Sequence, residues 1–166
     1  METKVYVEDR YRKAWKELAM KRFGYGRGSI SKAAQEALVL WIRNEERITL
    51  SLRRLKDVAT DEKDVDAMLL FGSYARCEPY NDVDVAAIIS ANSSRINVLS
   101  KLESVLPEAP KFDLSVFNDM PLSLKSRVLS ECRVIYSRGG FDLKGLSADI
   151  MQHWIDIKPM LDSVLV

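Results

Sequence analysis

The feature that most constrains this chain is a pair of short apolar runs divided by a glycine. Met68-Leu69-Leu70-Phe71 leads into Gly72-Ser73-Tyr74-Ala75-Arg76, and Asn81-Asp82-Val83-Asp84-Val85 leads into Ala86 to Ile89. Runs this short and this apolar read as buried strands. Side chains alternate along a strand, so Asp82 and Asp84 share a face. Two carboxylates on one face of a buried strand repel each other and are costly to desolvate unless a cation lies between them. Hard oxygen ligands on a rigid strand suit Mg²⁺, which in turn suits a nucleoside triphosphate. Gly72 lets the backbone approach a phosphate, and the Ser73 hydroxyl and the amides of the next turn can donate to it. Arg76 reads equally as a cation for a triphosphate or as a surface residue of a short helix.

Gly72-Ser73, eight residues, then Asp82-x-Asp84 resembles the signature of the polymerase β-type nucleotidyltransferase superfamily. With Ala75-Arg76 after the Gly-Ser pair, it looks most like the minimal nucleotidyltransferases. That family usually has Ser before the first Asp, where this chain has Asn81. The resemblance covers residues 64–140 and implies a third carboxylate on a later strand, which Phe112-Asp113-Leu114-Ser115-Val116 supplies at Asp113. It implies that Asp82, Asp84 and Asp113 are catalytic: Asp82 and Asp84 hold one or two Mg²⁺ ions, and Asp113 shares the second or serves as base for an acceptor hydroxyl. It also implies that Gly72, Ser73 and Arg76 bind an NTP, ATP foremost.

The chain has 166 residues, enough for one domain or a domain plus a small module. Charged residues make up 30% and hydrophobic ones 47%, which favours a globular chain over a disordered one. No apolar run approaches the roughly 18 residues of a membrane span. Met1 is not followed by a charged-then-apolar signal, so the expectation is a cytoplasmic protein with no membrane partner. Cys77 and Cys132 are too few and too far apart for a disulfide framework. The net charge of +1 conceals an asymmetry. Residues 1–63 carry 15 Lys/Arg against 10 Asp/Glu, and residues 64–166 carry 10 against 14, so a basic front adjoins an acidic back.

In the front, Thr3-Lys4-Val5-Tyr6-Val7-Glu8 alternates like a short strand. Asp9 is placed to cap a helix carrying Tyr11, Trp15, Leu18 and Ala19, which ends at Gly24-Tyr25-Gly26-Arg27-Gly28. A second helix, starting at Ser29 or Ser31, carries Ala34, Leu38, Trp41 and Ile42. A lone six-residue strand is not stable and must pair. Strand, helix, glycine turn and Ser-led helix resemble the ribbon-helix-helix family. That resemblance implies a homodimer whose paired strands enter a DNA major groove, with Lys4 and Tyr6 at the bases and Ser31 and Lys32, in the stretch from Ser29, at a phosphate.

A bridging amphipathic helix follows with Ile48, Leu52, Leu55 and Ala59, the module boundary falling near Asn44-Glu45-Glu46. Asn92-Ser93-Ser94 caps a helix with Ile96, Leu99, Leu102 and Leu106 on its apolar face, and Pro121 opens another. Arg133 to Ser137 is a short strand, and a last helix from Asp142 is kinked or stopped by Pro159. Tyr80 reads as part of an exposed loop. The expected fold class is α/β (α+β). A ribbon-helix-helix-like module over 1–44 precedes a mixed-sheet nucleotidyltransferase domain over 45–166 with flanking helices. The expected function is Mg²⁺-dependent transfer of NMP from an NTP to a hydroxyl on a partner protein. The resemblance to minimal nucleotidyltransferases implies a HEPN-type toxin as that partner and an antitoxin role. The competing reading is a non-catalytic DNA-binding regulator whose nucleotidyltransferase domain binds nucleotide or a partner.

Overall fold

The computed structural model describes residues 5–91 and 93–164. Contacts divide the chain into two compact units, one up to Arg47 and one from Ile48 on.

In the first unit, α1 (Asp9–Phe23) begins after Glu8, with no side-chain cap bond at that position, and stops at Gly24, whose φ is +84°. The start of α2 (Ser29–Asp61) follows the glycine loop. Ser29 is buried there, and its hydroxyl donates inward, 2.5 Å from the Gly24 carbonyl and 3.0 Å from that of Gly26. Arg22 pairs with Glu36 at 2.6 Å across the two helices, in an exposed setting where such a pair contributes about 0–1 kcal/mol.

Two expectations for the front of the chain are corrected. Residues 5–8 form no strand; Thr3 and Lys4 lie outside the described residues. So short a segment holds as a strand only against a neighbouring ladder, and residues 5–8 join none among the described residues. The second helix and the bridging helix, expected as separate elements on either side of Asn44-Glu45-Glu46, are one, since α2 runs for 33 residues without a break. No Gly or Pro occurs between Ser29 and Asp61, so nothing in the local chemistry ends the helix.

The second unit is built on a four-stranded mixed sheet, ordered β3-β2-β1-β4. β1 (Val65–Phe71) pairs antiparallel with both β2 (Val83–Ile89) and β4 (Arg133–Ser137), while β2 pairs parallel with β3 (Phe112–Val116). A parallel neighbour needs a long crossover, and α4 (Arg95–Glu103) supplies it. The single turn α3 (Gly72–Ala75) joins β1 to β2. α5 (Leu122–Glu131) precedes β4, and α6 (Leu143–Val164) ends the described chain.

Both faces of the sheet are covered. On one, Met68, Leu70, Val83, Val85, Ala87 and Ile89 pack with Ile48, Leu55 and Ala59 of α2 and with Val98 and Leu102 of α4. On the other, Ala67, Leu69, Phe71, Ala86 and Ile88 pack with Val128 of α5 and with Leu146 and Ile150 of α6. Burial on both sides explains why β1 and β2 read as apolar runs rather than as alternating strands. Each fully buried Leu or Ile, such as Leu55 and Ile48, contributes about 1.5–3 kcal/mol. Two smaller expectations shift. Ile96 is 80% exposed, and Val98 is the α4 residue that packs instead, because Ile96 lies in the first turn, outside the covered stripe. α6 continues through Pro159, which removes one backbone donor without ending the helix.

Candidate functional site

β1 ends at Phe71, directly opposite Asp84 on β2. The next residue, Gly72, has φ +73°. A Cβ there would lie 1.9 Å from Asp84 Oδ2 and 2.8 Å from its Cγ. Glycine is therefore required twice, by a backbone conformation that side chains disfavour and by a carboxylate pressed against it. The turn then folds tightly: the Arg76 amide donates to the Gly72 carbonyl and the Glu78 amide to that of Ser73.

Alternation along β2 sets Asp84 on the same face as Ala86 and Ile88, opposite to Val83 and Val85, with Asp82 just before the strand. On the neighbouring parallel strand, Asp113 stands in register with Asp84. The three carboxylates expected to act together are coupled. Burial, and then the charges of Asp82 and Asp113, push the Asp84 carboxyl above the usual carboxylate range, while Arg127 and Arg76 pull the other way. Lys111 Nζ stands 4.0 Å from Asp82 Oδ2, at the outer limit of an ion pair.

Among the described residues no group of three or more His, Cys, Asp or Glu forms a ready-made metal cage. Mg²⁺ rarely uses one; it is held by one or two carboxylates together with substrate phosphates. The hard-oxygen donors and the like charges that push the Asp84 carboxyl up fit such an ion, which Asp82 and Asp84 would hold.

Arg76 is a surface residue with two carboxylate partners. Its Nε and Nη2 donate to Glu78 Oε2 at 3.0 and 2.9 Å, and its Nη1 donates to Glu131 Oε2 at 2.7 Å. The other oxygen of Glu131 accepts from the Gly72 amide at 3.2 Å. These pairs hold the guanidinium firmly protonated. Sequence reasoning does not reach Glu131 or Arg127. Both belong to α5, and the only local signal is their four-residue spacing, which puts them on one helix face. Tyr80 lies in a loop but is half-buried, its ring meeting that of Tyr74 edge to face at 4.8 Å.

The residues expected at DNA belong to the first unit. Tyr6 is 91% exposed, and Ser31 and Lys32 are exposed in the first turn of α2. Lys4 lies outside the described residues. The Lys32 amide is bonded within the helix to the Gly28 carbonyl, and the Ser29 hydroxyl is committed to its own loop.

A short Gly-Ser turn facing carboxylates on two adjacent strands of a mixed sheet defines the class of polymerase β-type nucleotidyltransferase domains. The family described as Polymerase beta, Nucleotidyltransferase matches residues 53–139, and the chain belongs to it. A candidate protein adenylyltransferase of Methanocaldococcus jannaschii is 28% identical over 74 residues, 43% of this chain. The chain spans 56% of the length of that curated relative. Among solved structures, a chain from a toxin–antitoxin crystal with AMP-PNP superposes with a TM-score of 0.50 at 20% identity, over 74% of this chain and 99% of the other. A chain from the toxin–antitoxin MntA-HepT gives 0.51 at 17% identity, over 71% and 99%. One from the tri-AMPylated Shewanella oneidensis HEPN toxin in complex with MNT antitoxin gives 0.51 at 18%, over 71% and 98%. At these identities the likeness establishes the shared fold. No helix among the described residues is long and apolar enough to cross a membrane.

Proposed function

We propose that this protein transfers the nucleoside monophosphate of an NTP, ATP foremost, to a hydroxyl on a partner protein, a HEPN-type toxin, and so acts as its antitoxin. The observation that carries the reading is the grouping of Asp82, Asp84 and Asp113 beside the Gly72-Ser73 turn. The relative named as an adenylyltransferase and the toxin–antitoxin origin of the structural neighbours favour AMP and a toxin as donor and acceptor.

In this reading, Asp82 and Asp84 hold Mg²⁺, which supplies charge neutralisation on the phosphates and at the leaving pyrophosphate. The Gly72 amide, the Ser73 hydroxyl and the Arg76 guanidinium orient the β- and γ-phosphates. Asp113, the most exposed of the three carboxylates, faces the acceptor and takes the proton of its hydroxyl. The acceptor oxygen forms a bond to the α-phosphorus, the bond from that phosphorus to the bridging oxygen breaks, and pyrophosphate leaves. Positioning and electrostatics supply most of the acceleration. The test is incubation of the protein with Mg²⁺, α-labelled ATP and the product of an adjacent HEPN gene. Label on the partner, abolished in Asp82→Asn/Asp84→Asn, is the expected result; no transfer with any of the four NTPs overturns the reading.

A second reading adds regulation. The basic front of the chain and the exposed Tyr6, Ser31 and Lys32 favour DNA binding by a homodimer, with repression of the protein's own operon. Binding to the upstream DNA in a mobility-shift assay supports it. No shift with that DNA or with random duplex at low salt removes it and leaves the transferase reading intact.

A further inference from the structure

Glu131 is the last residue of α5, where a negative charge meets the negative end of the helix dipole. That is a poor place for a carboxylate unless strong donors compensate. Two do: the Gly72 amide holds one of its oxygens and Arg76 Nη1 the other. The Glu131 side chain is only 16% exposed and its bond to the Gly72 amide is part-buried, while Arg76 reaches it from the surface. Arg76 does not need this partner for its own neutralisation, since Glu78 already accepts from both its Nε and its Nη2. What Glu131 does is bridge two donors with the two oxygens of one anion, as two oxygens of a phosphate would. Both donors are ones the nucleotide reading assigns to the triphosphate.

We propose that Glu131 is an internal competitor for the triphosphate: its carboxylate occupies the Gly72 amide and the Arg76 guanidinium, and a nucleotide gains those donors by displacing it. This rests on the nucleotide reading above. A triphosphate carries several negative charges against the single one of a carboxylate, so it wins the exchange at sufficient concentration. Arg127, one turn back along α5, offers the displaced carboxylate a cation at the i,i+4 spacing. The device selects for ligands with a polyphosphate. A nucleoside, with nothing to offer Gly72 and Arg76, leaves Glu131 where it is.

The test is isothermal titration of the full-length protein and of Glu131→Gln and Glu131→Ala with Mg²⁺-ATP and with adenosine. Gln keeps the size of Glu and an oxygen for the Gly72 amide but loses the charge that holds Arg76. The expected result is ATP affinity raised about tenfold in both variants, with adenosine affinity unchanged. If Glu131→Ala does not fold, as judged by its melting curve, the isosteric Gln variant decides. Unchanged or weaker ATP binding in a folded variant overturns the proposal and makes Glu131 a support for the turn, while the nucleotide reading stands. If neither the wild type nor any folded variant binds ATP, the nucleotide reading itself falls and takes the proposal with it. Binding seen only in the variants supports both.

Discussion

The two units of this chain solve the problem of apolar surface differently. From Ile48 on, a sheet is buried on both faces, and large side chains such as Leu55 and Met68 are fully enclosed. Up to Arg47, Ala19 is the one apolar residue buried among those described, while Leu38, Leu40, Trp41 and Ile42 are 57%, 60%, 60% and 47% exposed. The second unit satisfies its own core. The first leaves large apolar side chains in water, Leu38, Trp41 and Ile42 on one face of α2 and Leu40 on another. On the reading proposed above, chemistry and recognition divide along the same line: the carboxylates belong to the self-sufficient unit, and Tyr6, Ser31 and Lys32 to the other. Substitutions should therefore separate cleanly into those that abolish transfer or unfold the domain and those that alter only association.

The largest effect is expected at the carboxylates. Asp82→Asn with Asp84→Asn removes the charge that would hold Mg²⁺, and transfer should fall by about a thousandfold or more, roughly 4 kcal/mol of barrier. Thermal stabilisation by Mg²⁺-ATP should vanish as well, since stabilisation follows binding to the native state. A ligand-induced melting shift that survives in the double variant would sink the assignment of these residues.

Next comes the core. Leu55→Ala, fully buried against the sheet, should cost about 2–5 kcal/mol in a chemical denaturation curve. Trp41→Ala, at an exposed position of the same helix, should cost the isolated chain about 0.5 kcal/mol or less, while lowering the apparent mass in light scattering at micromolar concentration. Equal costs for the two would erase the contrast between the units. Gly72→Ala falls between these limits. Left-handed backbone at a residue with a side chain costs about 1–2 kcal/mol, and the overlap with Asp84 must be relieved by moving that carboxylate. Nucleotide binding should therefore suffer more than the melting temperature does, and a variant that binds ATP normally would show that Asp84 has another place to go.

How far the sequence reveals this arrangement depends on the range of the interaction. β1 and β2 are legible because short apolar runs and a chain-breaking glycine are local signals, and the Asp82-x-Asp84 pair because strand alternation puts both on one face. The need for glycine at residue 72 is legible too, but the neighbour expected from the sequence is a phosphate and the one the structure supplies is the Asp84 carboxylate. Glu131 is invisible in the sequence because its contact with Gly72 joins residues 59 positions apart, through a helix whose placement depends on the sheet. The continuity of α2 is hidden for a different reason. The apolar stripe before Asn44 and the one after it serve different units, and a change of stripe imitates an end of helix although no Gly or Pro stands there. At residues 5–8 the alternation present in the sequence forms no strand, because alternation is a local signal and a ladder is not.

The smallest effect is expected at Lys32, and it tests the first unit most directly. The residue is exposed in the first turn of α2, where its side chain is free to meet a phosphate and takes part in no core packing. Lys32→Ala should therefore leave the melting curve, the transfer reaction and the ATP titration unchanged. If the unit binds DNA, each phosphate that a lysine neutralises releases about one counterion. Removing one Lys per protomer should then flatten the salt dependence of binding by about one unit for each phosphate no longer neutralised, and weaken all sequences alike. Tyr6→Ala should do the reverse, relaxing preference among sequences while the salt slope holds, because an aromatic side chain reads base edges rather than charge. A salt slope unmoved by Lys32→Ala, measured on the upstream DNA at several ionic strengths, would take the phosphate away from this turn and leave the first unit with association as its role.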